Sequence, residues 1–350
     1  MTLRPLRNLL FFCLLFTCVG AELHAIGSKP QLPLQIYFID VEGGQSTLFV
    51  TPEKHSLLID TGWPANEGRD ADRIVTAAKA AGIERIDYVL LTHYHVDHTG
   101  GVPQLVAKIP VGTFIDHGPN RESTDKPTVD AYEGYQKVLA DGHYEHIVAK
   151  PGDTLPVPGL KIAVVSADGE LIAQPLPGAG EANPFCAASE KRPADQTENA
   201  RSLGVVITYG KLRILDLGDL TWDKEMELMC PVNKLGHIDL LVVSHHGWYQ
   251  SSSPALVDAI APRVAIMDNG AKKGGTPSAW DIVEKSPGLE DLWQLHYSEE
   301  GGAKHNVDAA HIANVQGPDT GNYLKVNAFA DGKIEVINER NSVKKDYAAK

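Results

Sequence analysis

Four metal-seeking side chains packed into His93-Tyr94-His95-Val96-Asp97-His98 constrain this chain more than any other feature of it. Histidine and carboxylate are borderline-to-hard ligands suited to Zn2+, Mn2+ or Fe. The alternation lets His93 and His95 point one way toward a first metal while Asp97 and His98 face a second. The motif follows a short apolar run, residues 88–91, which reads as a strand. Its ligands therefore lie on a loop at a strand's C-terminal end, where α/β proteins collect their sites. A lone His55 or His143 carries no such message and reads as a surface group.

The flanking sequence supplies a β-rich frame. Residues 35–41, 46–50 and 56–60 are β-prone runs separated by turn residues, an opening meander. Ile74, Ala77, Ala78 and Ala81 then recur at helical spacing, with Asp70 as N-cap and Gly82 as stop. A helix is expected over 102–108, and strands over 112–116, 146–148 and 161–166. Residues 168–200, with Pro175, Pro177, Pro184 and Pro193, read as a long connection of the kind that often serves as a substrate lid. The second half repeats the style, with a hairpin of 203–209 and 211–217 around Gly210 and strands at 240–244, 264–267 and 323–328. One domain is expected over 30–340, followed by a polar, frayed tail at 341–350.

The first 25 residues read as an export signal: Arg4 and Arg7, an apolar run over 9–19, then small residues with cleavage after Ala21 or Ala25. The run is too short for a comfortable bilayer span, so no stable membrane anchor is expected and the chain is assigned to the periplasm or the exterior. Cys13 and Cys18 fall in this segment, leaving Cys186 and Cys230 free to pair or not in an oxidising compartment. The formal charge is −13, and losing Arg4, Arg7 and Glu22 makes the remainder more negative. With no Lys/Arg-rich stripe, long nucleic acid is not an expected partner. A small-molecule substrate fits better, and oligomeric state is left open.

Thr92-His93-Tyr94-His95-Val96-Asp97-His98 with Thr99-Gly100-Gly101 resembles the signature of the metallo-β-lactamase superfamily. Other motifs fall where that resemblance would place them. Leu57-Leu58-Ile59-Asp60-Thr61-Gly62 resembles the first motif, whose aspartate orients the metal loop; this implies that role for Asp60. Ile214-Leu215-Asp216-Leu217-Gly218-Asp219 resembles the Gly-Asp strand end, implying that Asp219 bridges two metals. Leu241-Val242-Val243-Ser244-His245-His246-Gly247 resembles the last histidine motif, with His245 preferred as ligand. More narrowly, Phe38-Ile39-Asp40-Val41, Asn199 with Ser202, and His245-His246-Gly247 with Ser251-Ser252 are similar to the soluble hydrolase domain of ComEC/Rec2-type competence proteins, a resemblance covering roughly residues 35–330.

The resemblance implies an α/β fold of αββα type, two mixed β-sheets flanked by helices, and one or two metal ions per chain, Zn2+ first with Mn2+ or Fe as alternatives. It also exposes a departure. No histidine lies between Cys186 and Asp219, where relatives carry the ligand completing the first site. Asn199, Asp195, Glu198 or water are the alternatives. A metal-activated water would attack the substrate, with Asp97 or Asp219 orienting it or accepting its proton. His246, Tyr249, Asn269 and His117 are candidate substrate contacts. Phosphodiester or phosphate-ester hydrolysis heads the expected reactions; carboxyl-ester, lactone or β-lactam hydrolysis is the alternative, and a non-catalytic metal-binding module the third.

Overall fold

A computed structural model describes residues 1–2, 32–64 and 66–350; the expected export signal lies largely outside the described residues. The chain opens with β1 (Leu34–Phe38), β2 (Thr47–Val50), β3 (Ser56–Ile59), β4 (Ile86–Leu90), β5 (Val111–Asp116) and β6 (Glu145–Val148). These lie side by side, β1 to β3 antiparallel and β3 to β6 parallel. The chain then crosses to a second sheet made of β7 (Thr154–Leu155), β8 (Lys161–Ala167), β9 (Glu170–Leu171), β10 (Gly204–Tyr209), β11 (Leu212–Asp216), β12 (Leu240–Val242), β13 (Val264–Met267), β14 (Asp291–His296) and β15 (Ile312–Asn314). Here β11 to β15 run parallel. Finally β16 (Leu324–Ala328), β17 (Ile334–Asn338) and β18 (Lys344–Tyr347) return to the first sheet, where β16 pairs with β1.

Side chains alternate across each strand, so a sheet covered on both faces needs strands that are apolar throughout. On β1, Ile36 and Phe38 face the second sheet, where they meet residues such as Ile207, Ile214 and Val264. Tyr37 points the other way. The outer face of the first sheet is covered by α1 (Arg69–Ala81), α3 (Val102–Val106) and α4 (Lys126–Gly142), with the short α2 (Val96–Thr99) beside them. That of the second is covered by α5 (Trp222–Met229), α6 (Pro254–Ile260) and α7 (Pro277–Glu284). The result is the expected αββα sandwich of two mixed sheets.

Sequence periodicity located α1 correctly, and Gly82 ends it in a left-handed conformation at φ 73°. Its N-cap is Gly68 rather than Asp70; the Asp70 carboxylate instead accepts from the Trp63 amide at 2.9 Å. Helix α4 escaped sequence analysis because only Thr128, Ala131 and Tyr135 of it are buried, too few for a clear apolar stripe. Residues 168–200 do form the long connection, and the Cys186 and Cys230 sulfurs are bonded, which ties it to the end of α5. The frayed tail is corrected by β18: Tyr347 is buried and accepts a hydrogen bond from Trp293 Nε1 at 2.9 Å. Three polar residues precede that single tyrosine, so an edge strand reads as tail in the sequence. Among the described residues no helix is long and apolar enough to cross a membrane.

Candidate metal centre

The parallel strands of the two sheets deliver their following loops to one place. From the first sheet come Asp60 after β3, the His93 to His98 loop after β4 and His117 after β5. From the second come Asp219 after β11, His245 and His246 after β12, and Asp268 and Asn269 after β13. Two glycines allow the close approach. A Cβ on Gly218 would stand 2.7 Å from Thr92 Cβ, and one on Gly101 2.1 Å from the Thr61 carbonyl. Asp60, His245 and His246 hold φ of 54 to 59°, a left-handed conformation that non-glycine residues adopt at a cost.

Two ligand-type clusters result, sharing one carboxylate. Asp97, His98, Asp219 and His246 offer ligand atoms within 4.8 Å of one another, and so do His93, His95 and Asp219. His98 Nε2 is 3.3 Å from Asp97 Oδ2 and 3.4 Å from Asp219 Oδ2. His246 Nε2 is 3.4 Å from Asp219 Oδ1 and 3.2 Å from His98 Nε2. His93 Nε2 approaches Asp219 Oδ2 at 3.9 Å from the other side. It is thus His246 that enters the four-residue cluster, while His245 sits by the other one. His245 Nε2 lies 3.3 Å from Asp219 Oδ2 and 3.4 Å from Asn199 Nδ2.

Neighbouring groups hold the rings of His98 and His95 by hydrogen bonds, and a carboxylate stands beside that of His246. Asp60 is fully buried, receives the Thr92 amide at 2.8 Å and hydroxyl at 2.7 Å, and accepts from His98 Nδ1 at 2.7 Å. His98 Nε2 is thereby aimed at the cluster. His246 Nδ1 lies 3.4 Å from Asp268 Oδ1. His95 Nε2 is 3.1 Å from Glu122 Oε2.

Charge is concentrated here on buried side chains. Burial pushes the Asp97 and Asp219 carboxyls up, but Lys273 and His98 beside the first, and His245, His98 and His246 beside the second, hold both well below the usual range. Burial disfavours a charged His98, yet Asp219, Asp97 and Asp60 hold it well above its ordinary value. The same balance, with Asp219 and Asp268, brings His246 up to about 9. Burial pushes His93 well down and His245 down to about 4.

The donor set suits a divalent ion. His93 Nε2, Asp219 Oδ1 and Asn199 Oδ1 are buried with no hydrogen-bond partner, the signature of atoms built to meet something other than protein. Two oxygen candidates for completing the first cluster are committed elsewhere. Glu198 receives the Arg121 amide at 2.6 Å and lies 3.1 Å from His117 Nε2, and Asp195 receives Thr197. Of the candidate substrate contacts, Tyr249 is half exposed, whereas His117 and Asn269 are buried against protein groups, Asn269 donating to the His296 carbonyl at 2.8 Å. His296 closes β14 and pairs with Asp40 at 2.7 Å.

The metallo-beta-lactamase superfamily, as a family, matches residues 40–183, a span holding Asp60 and the whole histidine motif. The chain carries a metallo-β-lactamase superfamily domain. The clusters around Asp219 are its candidate metal site. The competence protein ComA of Neisseria gonorrhoeae is 27% identical over 231 residues, covering 66% of this chain and 26% of that protein. The chain thus spans about a quarter of the relative it matches. Among solved structures, the metallo-beta-lactamase fold protein YhfI from Bacillus subtilis is 15% identical, with 75% of this chain and 96% of that one covered and a TM-score of 0.46. Zn(2+)-bound PqqB from Methylobacterium extorquens is also 15% identical, with 59% and 71% covered and a TM-score of 0.36.

Sequence reasoning missed Lys273, Asp268 and Glu122. The first two follow β13 in Asp268-Asn269-Gly270-Ala271-Lys272-Lys273-Gly274-Gly275, and a glycine-rich loop after an apolar strand was a usable signal. Glu122 gave none, since only the fold brings it to His95.

Proposed function

We propose that the chain hydrolyses phosphodiesters or phosphate esters with one or two divalent ions, Zn2+ foremost, in an oxidising compartment outside the cytoplasm. The observation that carries this reading is the sharing of Asp219 between two clusters, which supports a pair of adjacent ions suited to displacement at phosphorus. Asp97, His98, Asp219 and His246 would hold one ion; His93, His95 and Asp219 would hold the other, with Asn199 Oδ1 or His245 Nε2 filling the remaining position. When bound, such ions lower the pKa of water toward neutrality and polarise the scissile oxygen. The chain's own part is placement. Asp60 and Thr92 lock His98, and Asp268 faces the outer nitrogen of His246, so both rings present Nε2 inward.

The preference for phosphorus over carbon rests on the resemblance to the soluble hydrolase domain of ComEC/Rec2-type competence proteins, with which the match to a competence protein agrees. The formal charge of −13 favours the second reading, a carboxyl ester, lactone or β-lactam, and in either case a small substrate. Export rests on the amino-terminal pattern, and the bonded Cys186 and Cys230 agree with an oxidising compartment.

The test is turnover of an aryl phosphodiester, an aryl carboxyl ester and a lactone by the zinc- or manganese-loaded protein. Preference for the phosphodiester by at least tenfold in kcat/KM is expected. Turnover of the ester or lactone alone would overturn the reading in favour of carbon centres.

A further inference from the structure

Lys273 is the one lysine or arginine, among the described residues, that pairs with a member of either cluster: its Nζ contacts Asp97 Oδ2. It lies in the loop between β13 and α7, and that loop is anchored to the histidine motif by its backbone. The Gly275 amide donates to the His246 carbonyl at 2.9 Å, and the Thr276 amide to the Gly247 carbonyl at 2.9 Å. The Gly270 amide closes the loop on the Lys273 carbonyl at 2.8 Å. Tight packing fixes the stem as well, since a Cβ on Gly43 would stand 2.9 Å from Lys273 Cβ. The ammonium lies 5.2 Å from the centroid of the Trp63 ring, and the side chain is 32% exposed. Lys273 therefore spans from solvent to the buried carboxylates.

We propose that Lys273 forms an anion subsite at the mouth of the metal centre and binds a negatively charged oxygen next to the scissile bond, a phosphoryl oxygen in the case of a phosphodiester. The step rests on the function proposed above, in which Asp97 is engaged by a metal. Asp97 is the only carboxylate paired with Lys273 among the described residues. An ammonium on a backbone-anchored loop, with its one carboxylate shared, is a fitting partner for a substrate anion.

Inorganic phosphate is the probe, titrated calorimetrically into the zinc-loaded protein and its Lys273→Ala, Lys273→Arg and Lys272→Ala variants, with metal content measured on each. The proposal expects equal metal content in all four and a Kd for phosphate raised tenfold or more in Lys273→Ala. Lys273→Arg should retain most of the affinity and Lys272→Ala all of it. No phosphate binding by the parent, an unchanged Kd in Lys273→Ala, or loss of metal from that variant would overturn the subsite, the last by making Lys273 a support for Asp97. The two readings fail separately. Phosphodiester turnover with a Kd indifferent to Lys273 removes the subsite alone, and a Lys273-dependent Kd without phosphodiester turnover removes the reaction alone.

Discussion

Asp60 touches no substrate in this account; it acts by holding His98. Its carboxylate takes the Thr92 amide, the Thr92 hydroxyl and His98 Nδ1 at 2.7 to 2.8 Å, and all three partners are buried. Asp60→Asn keeps the shape but replaces an acceptor with a donor on one side, so metal affinity should fall by about 10- to 100-fold. Competition against a zinc chelator measures this, and unchanged affinity would remove Asp60 from the site. His246→Ala should cost more metal than His245→Ala, because His246 belongs to the four-residue cluster and faces Asp268. At this scale much was legible beforehand. His93, His95, Asp97, His98 and Asp219 lie together, and all five stand in motifs that can be read in the sequence. The choice between His245 and His246 was not legible, because two adjacent left-handed residues turn the rings in a way no periodicity encodes.

Elements were legible where one face met a core. Strand β13 carries four apolar residues, all buried, and was read to the residue. Helix α4 buries only Thr128, Ala131 and Tyr135, and β18 only its tyrosine, so neither left a pattern. Removing residues 344–350 should therefore lower Tm by several degrees, since Tyr347 and its bond to Trp293 go with the strand; an unchanged melting curve would restore the tail reading. A second element has a pH signature. Glu225 on α5 receives the Ser252 and Ser253 amides at 2.8 and 2.6 Å, just where Ser253 caps α6. Burial lifts its carboxyl from the ordinary 4.5 to about 7 despite those bonds. The folded state then keeps a proton that the unfolded chain releases. The associated stabilisation is full below about 4.5 and disappears as pH rises through about 7, at about 1.4 kcal/mol for each pKa unit between the two states. Glu225→Gln should flatten the fall of Tm between these limits, and a variant keeping the parent's slope would show that another group titrates.

The whole molecule is two β-rich halves whose parallel strands end at a common edge, so the centre exists only when both halves are folded. Among the described residues one covalent tie lies outside the centre, within the second half: Cys186 and Cys230 close a loop with a sequence separation of 44. Reduction, or Cys186→Ser with Cys230→Ser, should cost about 2 to 4 kcal/mol in denaturant titration while leaving metal content intact. The disulfide was not legible in the sequence, because two cysteines in a presumed oxidising compartment say nothing of proximity. The proposed hydrolytic centre depends on Asp219 joining the two clusters. The most direct measurement is elemental analysis of the purified chain beside its Asp219→Asn variant after zinc loading and desalting. Up to two zinc ions per parent chain are expected, and loss from both clusters in the variant with its secondary structure preserved. Equal zinc content in parent and variant would contradict it.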